Sequence, residues 1–211
     1  MQSFSWCCGA CGDVNNARLI RCQALYSAVA LQGGGTVTNS GTIVGVAGTA
    51  ISLTAGFSNR VVDVAGGVFT GVVNGGNTIG AAKTSTLELA SSTSQGTLSG
   101  LGSQFVNFAR VTVDNGANWT VAGAIGTGST IVDSGTLAPV TLTAGGVVTV
   151  AAGGTIVAPG GGQYAAVSLI GAGTLVNFGA VYAPSFYSVG SICVNYWYHP
   201  TPTALRSQSA G

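Results

Sequence analysis

Charge is the scarcest property of this sequence. Only 5% of its 211 residues are charged, six Lys or Arg and five Asp or Glu, whereas charged residues make up about 25% of an ordinary globular domain. The basic residues are scattered along the chain and form no stripe that could neutralise phosphates: Arg18, Arg21, Arg60, Lys83, Arg110 and Arg206. The sequence therefore argues against nucleic acid as a partner.

Long apolar runs are absent as well. Gly, Thr and Ser interrupt even the uncharged stretch 134–205, so no window supplies the roughly 18 consecutive apolar residues that a membrane-spanning helix requires. At the start of the chain no basic segment precedes an apolar one, and Arg18 and Arg21 interrupt the single candidate. We therefore predict no transmembrane helix and find no readable secretory signal.

Residues that carry catalysis or bind metals are few. The single histidine, His199, stands beside Pro200 in the tail, and no G-x-S-x-G motif occurs near a histidine, so acyl transfer has no support. Cys8 and Cys11 form one C-x-x-C pair, but a structural zinc site needs a second pair. We expect no metal site and no cofactor.

Glycine and β-branched residues are what the sequence has in excess. It contains 35 glycines, and 46% of its residues are hydrophobic. Beyond Gly33, short runs rich in Val, Ile, Thr and Leu are bounded by Gly, Asn or Ser, for example 36–38, 50–54, 60–64, 109–113, 147–150 and 174–176. Such residues favour strands, and frequent Gly disfavours helix. The pattern predicts an all-β fold.

The two ends of the chain differ from its middle. Residues 1–32 hold four of the five cysteines and are interpreted as an N-terminal segment or cap, with a candidate short helix over 14–31. Residues 182–198 form an aromatic end segment, and the polar, Pro-punctuated tail 199–211 is predicted to be disordered. Residues 33–181 remain as the main domain.

Repetition within residues 33–181 favours a solenoid. The glycine of each strand-corner-strand unit serves as a marker, and the markers are Gly41, Gly66, Gly116, Gly135, Gly154 and Gly179. They recur at a period of about 19 to 25 residues, which is typical of a solenoid. The interval from Gly66 to Gly116 is twice as long, as if one marker were missing. We predict a β-helix of about six to eight turns, with an antiparallel β-sandwich as the alternative.

The corner residues are interpreted as architectural. Gly and Asx side chains suit corners because Gly tolerates positive φ and Asx bonds nearby backbone; the predicted set is Asn39, Gly41, Gly66, Asp114, Gly116, Asp133, Gly135, Gly154, Asn177 and Gly179. Asp114 and Asp133 lie about one turn apart and are expected to stack on one corner. Corner capping is favoured over a catalytic or calcium site, and we predict that the chain is not an enzyme.

Three segments carry a family resemblance: GGTVTNSGTIVGVAGTAISLTAG, GGVVTVAAGGTIVAPGGG and GTLVNFGAVYA. Over about residues 33–181 the chain resembles the strand repeats in passenger regions of bacterial autotransporters and filamentous haemagglutinin-like adhesins. The resemblance implies a right-handed parallel β-helix at the cell surface or outside the cell, used for adhesion to host-surface or extracellular-matrix components. It supplies no catalytic residues.

Aromatic residues near the end of the domain suggest a ligand class. Exposed rings can stack on sugars, and the candidates are Tyr182, Tyr187, Tyr196 and Trp197; a hydrophobic end cap is the alternative role. Because an open sheet end is a template for pairing, self-association through the solenoid ends is also expected. A polysaccharide lyase or glycoside hydrolase is the enzymatic alternative, but the few acidic residues give it little support.

Overall fold

The computed structural model describes residues 12–22, 26–126, 128–159 and 165–183. Within these ranges all regular structure is β, and no helix is present that could cross a membrane. The strands are β1 Gly12–Asn16, β2 Leu19–Cys22, β3 Val29–Leu31, β4 Gly35–Asn39, β5 Thr42–Leu53, β6 Arg60–Val64, β7 Val68–Asn74, β8 Thr86–Ala90, β9 Gly96–Ser99, β10 Phe105–Val106, β11 Arg110–Val113, β12 Asn118–Ala122, β13 Ala124–Ile125, β14 Thr130–Asp133, β15 Thr136–Leu137, β16 Val140–Leu142, β17 Val147–Val150, β18 Thr155–Val157, β19 Val167–Leu169, β20 Thr174–Asn177 and β21 Ala180–Tyr182.

One sheet, called side 1, runs the length of the described stack. Its eight parallel strands follow the order β1-β4-β6-β8-β11-β14-β17-β20, and one interior position is filled on successive turns by Val14, Val37, Val61, Leu87, Val111, Ile131, Val148 and Leu175. The turns between these residues differ in length: the shortest runs from Ile131 to Val148, and the longest from Val148 to Leu175. At about 4.8 Å per turn, the seven intervals give a rod roughly 34 Å long.

The remaining two sides are built differently in the two halves of the rod. In the later turns each turn adds one strand to side 2, which consists of β9, β12, β15, β18 and β21, and one to side 3, which consists of β13, β16 and β19. In the earlier turns the long strand β5 serves both positions, because residues 42–45 pair with β2 and residues 51–53 pair with β3. The chain is thus a three-sided right-handed parallel β-helix.

The interior is packed with aliphatic side chains and a few aromatic ones. Strand residues alternate between buried and less buried positions, as in Thr130–Asp133 and Val147–Val150, because successive side chains point to opposite faces of a strand. The buried residues form one continuous core. Among the described residues, Trp119 and Phe108 are the two largest fully buried side chains. Phe69 meets Phe105 edge to face with ring centroids 5.4 Å apart.

The predicted solenoid is confirmed, and the antiparallel sandwich is wrong because every strand pair in the described ranges is parallel. The long interval between the Gly66 and Gly116 markers contains β8, which ends without a glycine marker.

The candidate helix over 14–31 is wrong in its described part, which contains β1, β2 and β3. Parallel pairing of these strands with β4 and β5 stabilises the extended conformation. The solenoid consequently begins at or before Gly12 rather than at Gly33, and its last described strand ends at Tyr182.

Candidate binding surface

The last interior position of side 1 forms what we call the corner column. Successive turns place Asn16, Asn39, Asp63, Leu89, Val113, Asp133, Val150 and Asn177 there. Three of the predicted corner residues, Asn39, Asp133 and Asn177, therefore share one column. Sequence reasoning missed Asn16 and Asp63 as members, although Asp63 also follows a β-branched run.

Asx residues of the corner column fold the chain around the corner. The Oδ1 atom of Asn39 accepts a hydrogen bond from the Gly41 N–H at 3.2 Å, and the same bond joins Asp133 to Gly135 and Asn177 to Gly179 at 3.0 Å. An Asx side chain that bonds the backbone two residues later mimics a turn. The motif Asx-x-Gly is thus a corner signal that can be read from the sequence.

The corner glycines are required for two different reasons. Gly66 and Gly116 have φ of 96° and 76°, as the corner interpretation anticipated. Gly41 and Gly135 have no such φ; instead a Cβ there would lie 2.1 Å from Arg18 O and 2.4 Å from Asp114 O, in the adjoining turn. The same close approach to backbone occurs at Gly154 and Gly179. Their role is to let successive turns stack closely.

The expected stacking of Asp114 on Asp133 is wrong. Asp133 pairs with Val113, so Asp114 lies one residue beyond the corner column, and one residue of slip turns a side chain to the opposite face. Asp114 lies against Glu88, within hydrogen-bonding reach. Burial chiefly, and the Glu88 carboxylate in addition, raises the pKa of Asp114 to about 6.

The Glu88 carboxylate also forms an ion pair with the Arg60 guanidinium on side 1. Arg60 Nε donates to Glu88 Oε2 at 2.7 Å, and the second arm of the guanidinium contacts the same carboxylate. Arg60, Glu88 and Asp114 form a small charged patch. The described residues contain no group of three or more His, Cys, Asp or Glu side chains that could hold a metal ion, and of the cysteines only Cys22 lies within them, as a buried free thiol.

A groove of about 370 Å³ lies on side 2. It crosses several turns and is lined by Gln95, Asn118, Thr136, Leu137, Ala138, Pro139, Val157, Ala158 and Pro159. These described lining residues are mostly apolar, with amide and hydroxyl groups but no charged side chain among them. Gln95 Nε2 donates to Thr120 Oγ1 at 3.3 Å, which ties one edge of the groove to β12.

Tyr182 extends this surface. It pairs with Val157 of the groove across β18 and β21, and 59% of its surface is exposed. Of the four aromatic residues predicted to stack on sugars, it is the one within the described ranges; Tyr187, Tyr196 and Trp197 lie outside them. Sequence reasoning did not find the groove, because its lining comes from several turns whose register only the structure provides.

Comparisons were made with protein-family models, with curated proteins and with solved structures. None of the three gives a match to this chain.

Proposed function

We propose that this chain is a non-enzymatic adhesion-type module of the cell surface or extracellular space, and that it contacts glycans through the side-2 groove and Tyr182. The observation that carries the proposal is an uncharged groove continued by one exposed aromatic ring. The resemblance to adhesin strand repeats supports the same conclusion. The partners expected on this basis are host-surface or extracellular-matrix glycans.

The chemistry of the groove suits neutral sugars. A sugar ring presents apolar C–H faces and hydroxyl edges, so it can pack on the apolar lining and on the ring of Tyr182 while its hydroxyls bond polar groups. Gln95, Asn118 and Thr136 supply such groups. The described lining residues include no cation to pair with sulfate or carboxylate groups, which favours neutral over acidic glycans.

The shape of the groove favours a chain over a single sugar. Side 2 extends from β9 to β21 in four steps of about 4.8 Å, a length of roughly 19 Å. Pro139 and Pro159 line the groove, and proline fixes φ. A preformed surface loses little conformational entropy when a ligand binds.

Polysaccharide cleavage is the alternative, and the carboxyl geometry opposes it. Two-carboxylate glycosidases hold these groups about 5 Å apart or farther, whereas Asp114 lies against Glu88 within hydrogen-bonding reach. Glu88 is also neutralised by Arg60. This pair lies on side 1, away from the side-2 groove.

Replacement of Tyr182 by alanine is expected to weaken glycan binding about five- to tenfold, which corresponds to ~1 kcal/mol of ring contact. Tyr182→Phe keeps the ring and is expected to retain most of the affinity. Phe178 is a matched control, because it is exposed to a similar extent, 56%, in the same turn. Binding of each purified variant to an array of neutral and acidic oligosaccharides measures the effect.

Two results would overturn the proposal in different ways. Equal losses for Tyr182→Ala and Phe178→Ala would remove the groove as the site while leaving an adhesion role in place. Failure of the wild-type chain to bind any arrayed glycan or to attach coated beads to cells or matrix would contradict the adhesion function itself.

A further inference from the structure

Two carboxyl groups are enclosed in the interior of the rod. Asp63 and Asp133 both occupy the corner column, and they are 4% and 0% exposed. One oxygen of each, Oδ1 of Asp63 and Oδ2 of Asp133, is buried without a hydrogen-bond partner. A buried ionised carboxylate in this state is strongly disfavoured.

The neighbours of both groups are uncharged. Asp63 pairs with Asn39 of β4 and Leu89 of β8, and Asp133 pairs with Val113 of β11 and Val150 of β17. Among the described residues no charged side chain shifts the pKa of either carboxyl group. The ionised form of Asp133 is stabilised only by backbone N–H groups, including that of Gly135. Burial raises the pKa of Asp63 to about 7 and that of Asp133 to about 6.

Asparagine fills the equivalent position elsewhere in the column. Asn16 and Asn39 are buried there, and Asn16 Nδ2 donates to Asn39 Oδ1 at 2.8 Å. A neutral amide therefore suits this site, whereas an ionised carboxylate does not. The two aspartates introduce titratable groups into a position that this chain otherwise fills with amide or aliphatic side chains.

We propose that Asp63 and Asp133 form a proton-controlled device in the β-helix: the turns that hold them are closed when both carboxyls are neutral, and ionisation loosens these turns. The device is independent of the glycan-binding function. It makes the rod more stable in acidic than in neutral surroundings, and it places the weak points at β6 and β14.

The direction of the pH dependence follows from linkage. Folding raises the pKa of each group above its ordinary value of 3.8, so each carboxyl binds its proton more tightly in the folded than in the unfolded chain. Stability is therefore fully present below about pH 4 and falls as the pH rises, through about 7 for Asp63 and about 6 for Asp133. The folding equilibrium constant is expected to fall roughly 1000-fold for Asp63 and roughly 100-fold for Asp133.

Denaturant unfolding of the full chain between pH 4 and pH 8 tests the device. The wild type is expected to lose stability across this range, and Asp63→Asn and Asp133→Asn are each expected to remove their part of the loss. The double variant is expected to keep only the smaller pH dependence that Asp114, whose pKa is also raised, contributes. Asp13→Asn is the control, because Asp13 is exposed on the same sheet, and it is expected to retain the wild-type slope.

Carbon-13 titration of the carboxyl groups in the wild type provides a reading that needs no variant. Resonances of Asp63 and Asp133 with midpoints near 7 and 6 would support the device. Midpoints below 5, or a double variant with the same pH slope as the wild type, would overturn it.

Discussion

Replacement of Asn39 by leucine is expected to lower the free energy of unfolding by about 3 kcal/mol, because it removes three hydrogen bonds worth about 1 kcal/mol each. Asn39 is fully buried. Its Oδ1 accepts from Asn16 Nδ2 at 2.8 Å and from the Gly41 N–H at 3.2 Å, and its Nδ2 donates to Val68 O at 3.3 Å. One side chain thereby joins three successive turns.

Urea unfolding measures this effect, with Asn15→Leu as the matched control. Asn15 lies one strand away on β1, but its side chain is exposed, so its replacement is expected to change stability by no more than about 0.5 kcal/mol. Equal losses for Asn39→Leu and Asn15→Leu would contradict the role assigned to the corner column.

Replacement of Gly96 by alanine is expected to destabilise the chain by about 3 kcal/mol, at the upper end of the usual cost of overpacking. A Cβ at Gly96 would lie 2.6 Å from three ring atoms of Trp119. The indole cannot easily move, because it is 1% exposed and its Nε1 donates to Ala90 O at 3.0 Å. Gly96 thus makes room for the largest side chain of the core.

A double-mutant cycle isolates this contact. Trp119→Leu alone is expected to be destabilising because it leaves a cavity. In the Trp119→Leu background, Gly96→Ala is expected to lower the free energy of unfolding much less than it does beside Trp119. The difference is a coupling energy of about 1–3 kcal/mol. Gly153→Ala is the control, since the nearest atom to a Cβ there is 3.8 Å away. Additive effects of the two replacements would show that the ring and Gly96 do not pack as described.

The fold could be predicted from the sequence because its determinants are local and repeated. Asn39-Ser40-Gly41 and Asp133-Ser134-Gly135 each end a β-branched run with the same turn chemistry, and neither β-branched residues nor frequent glycine suits a helix. The segment 14–31 was predicted wrongly because short apolar runs fit helix or strand equally well. Its strands are determined by pairing with β4 and β5, which lie later in the chain.

Registers and surfaces could not be read from the sequence. Asp133 lies opposite Val113, the residue just before Asp114, and this offset of a single position places the two carboxyls on opposite faces of side 1. The groove depends on the same kind of information, since Asn118, Thr136 and Val157 meet only when three turns of different lengths are aligned. Turn length, which varies from turn to turn, determines that alignment.

The register of side 1 is the most direct test of the parallel β-helix on which every other inference depends. Backbone proton contacts in the NMR spectrum of the labelled chain should join Val111 to both Leu87 and Ile131, and Val148 to both Ile131 and Leu175, with the pattern of parallel strands. Contacts between the Hα atoms of directly opposed residues in neighbouring strands, the mark of antiparallel pairing, would contradict it.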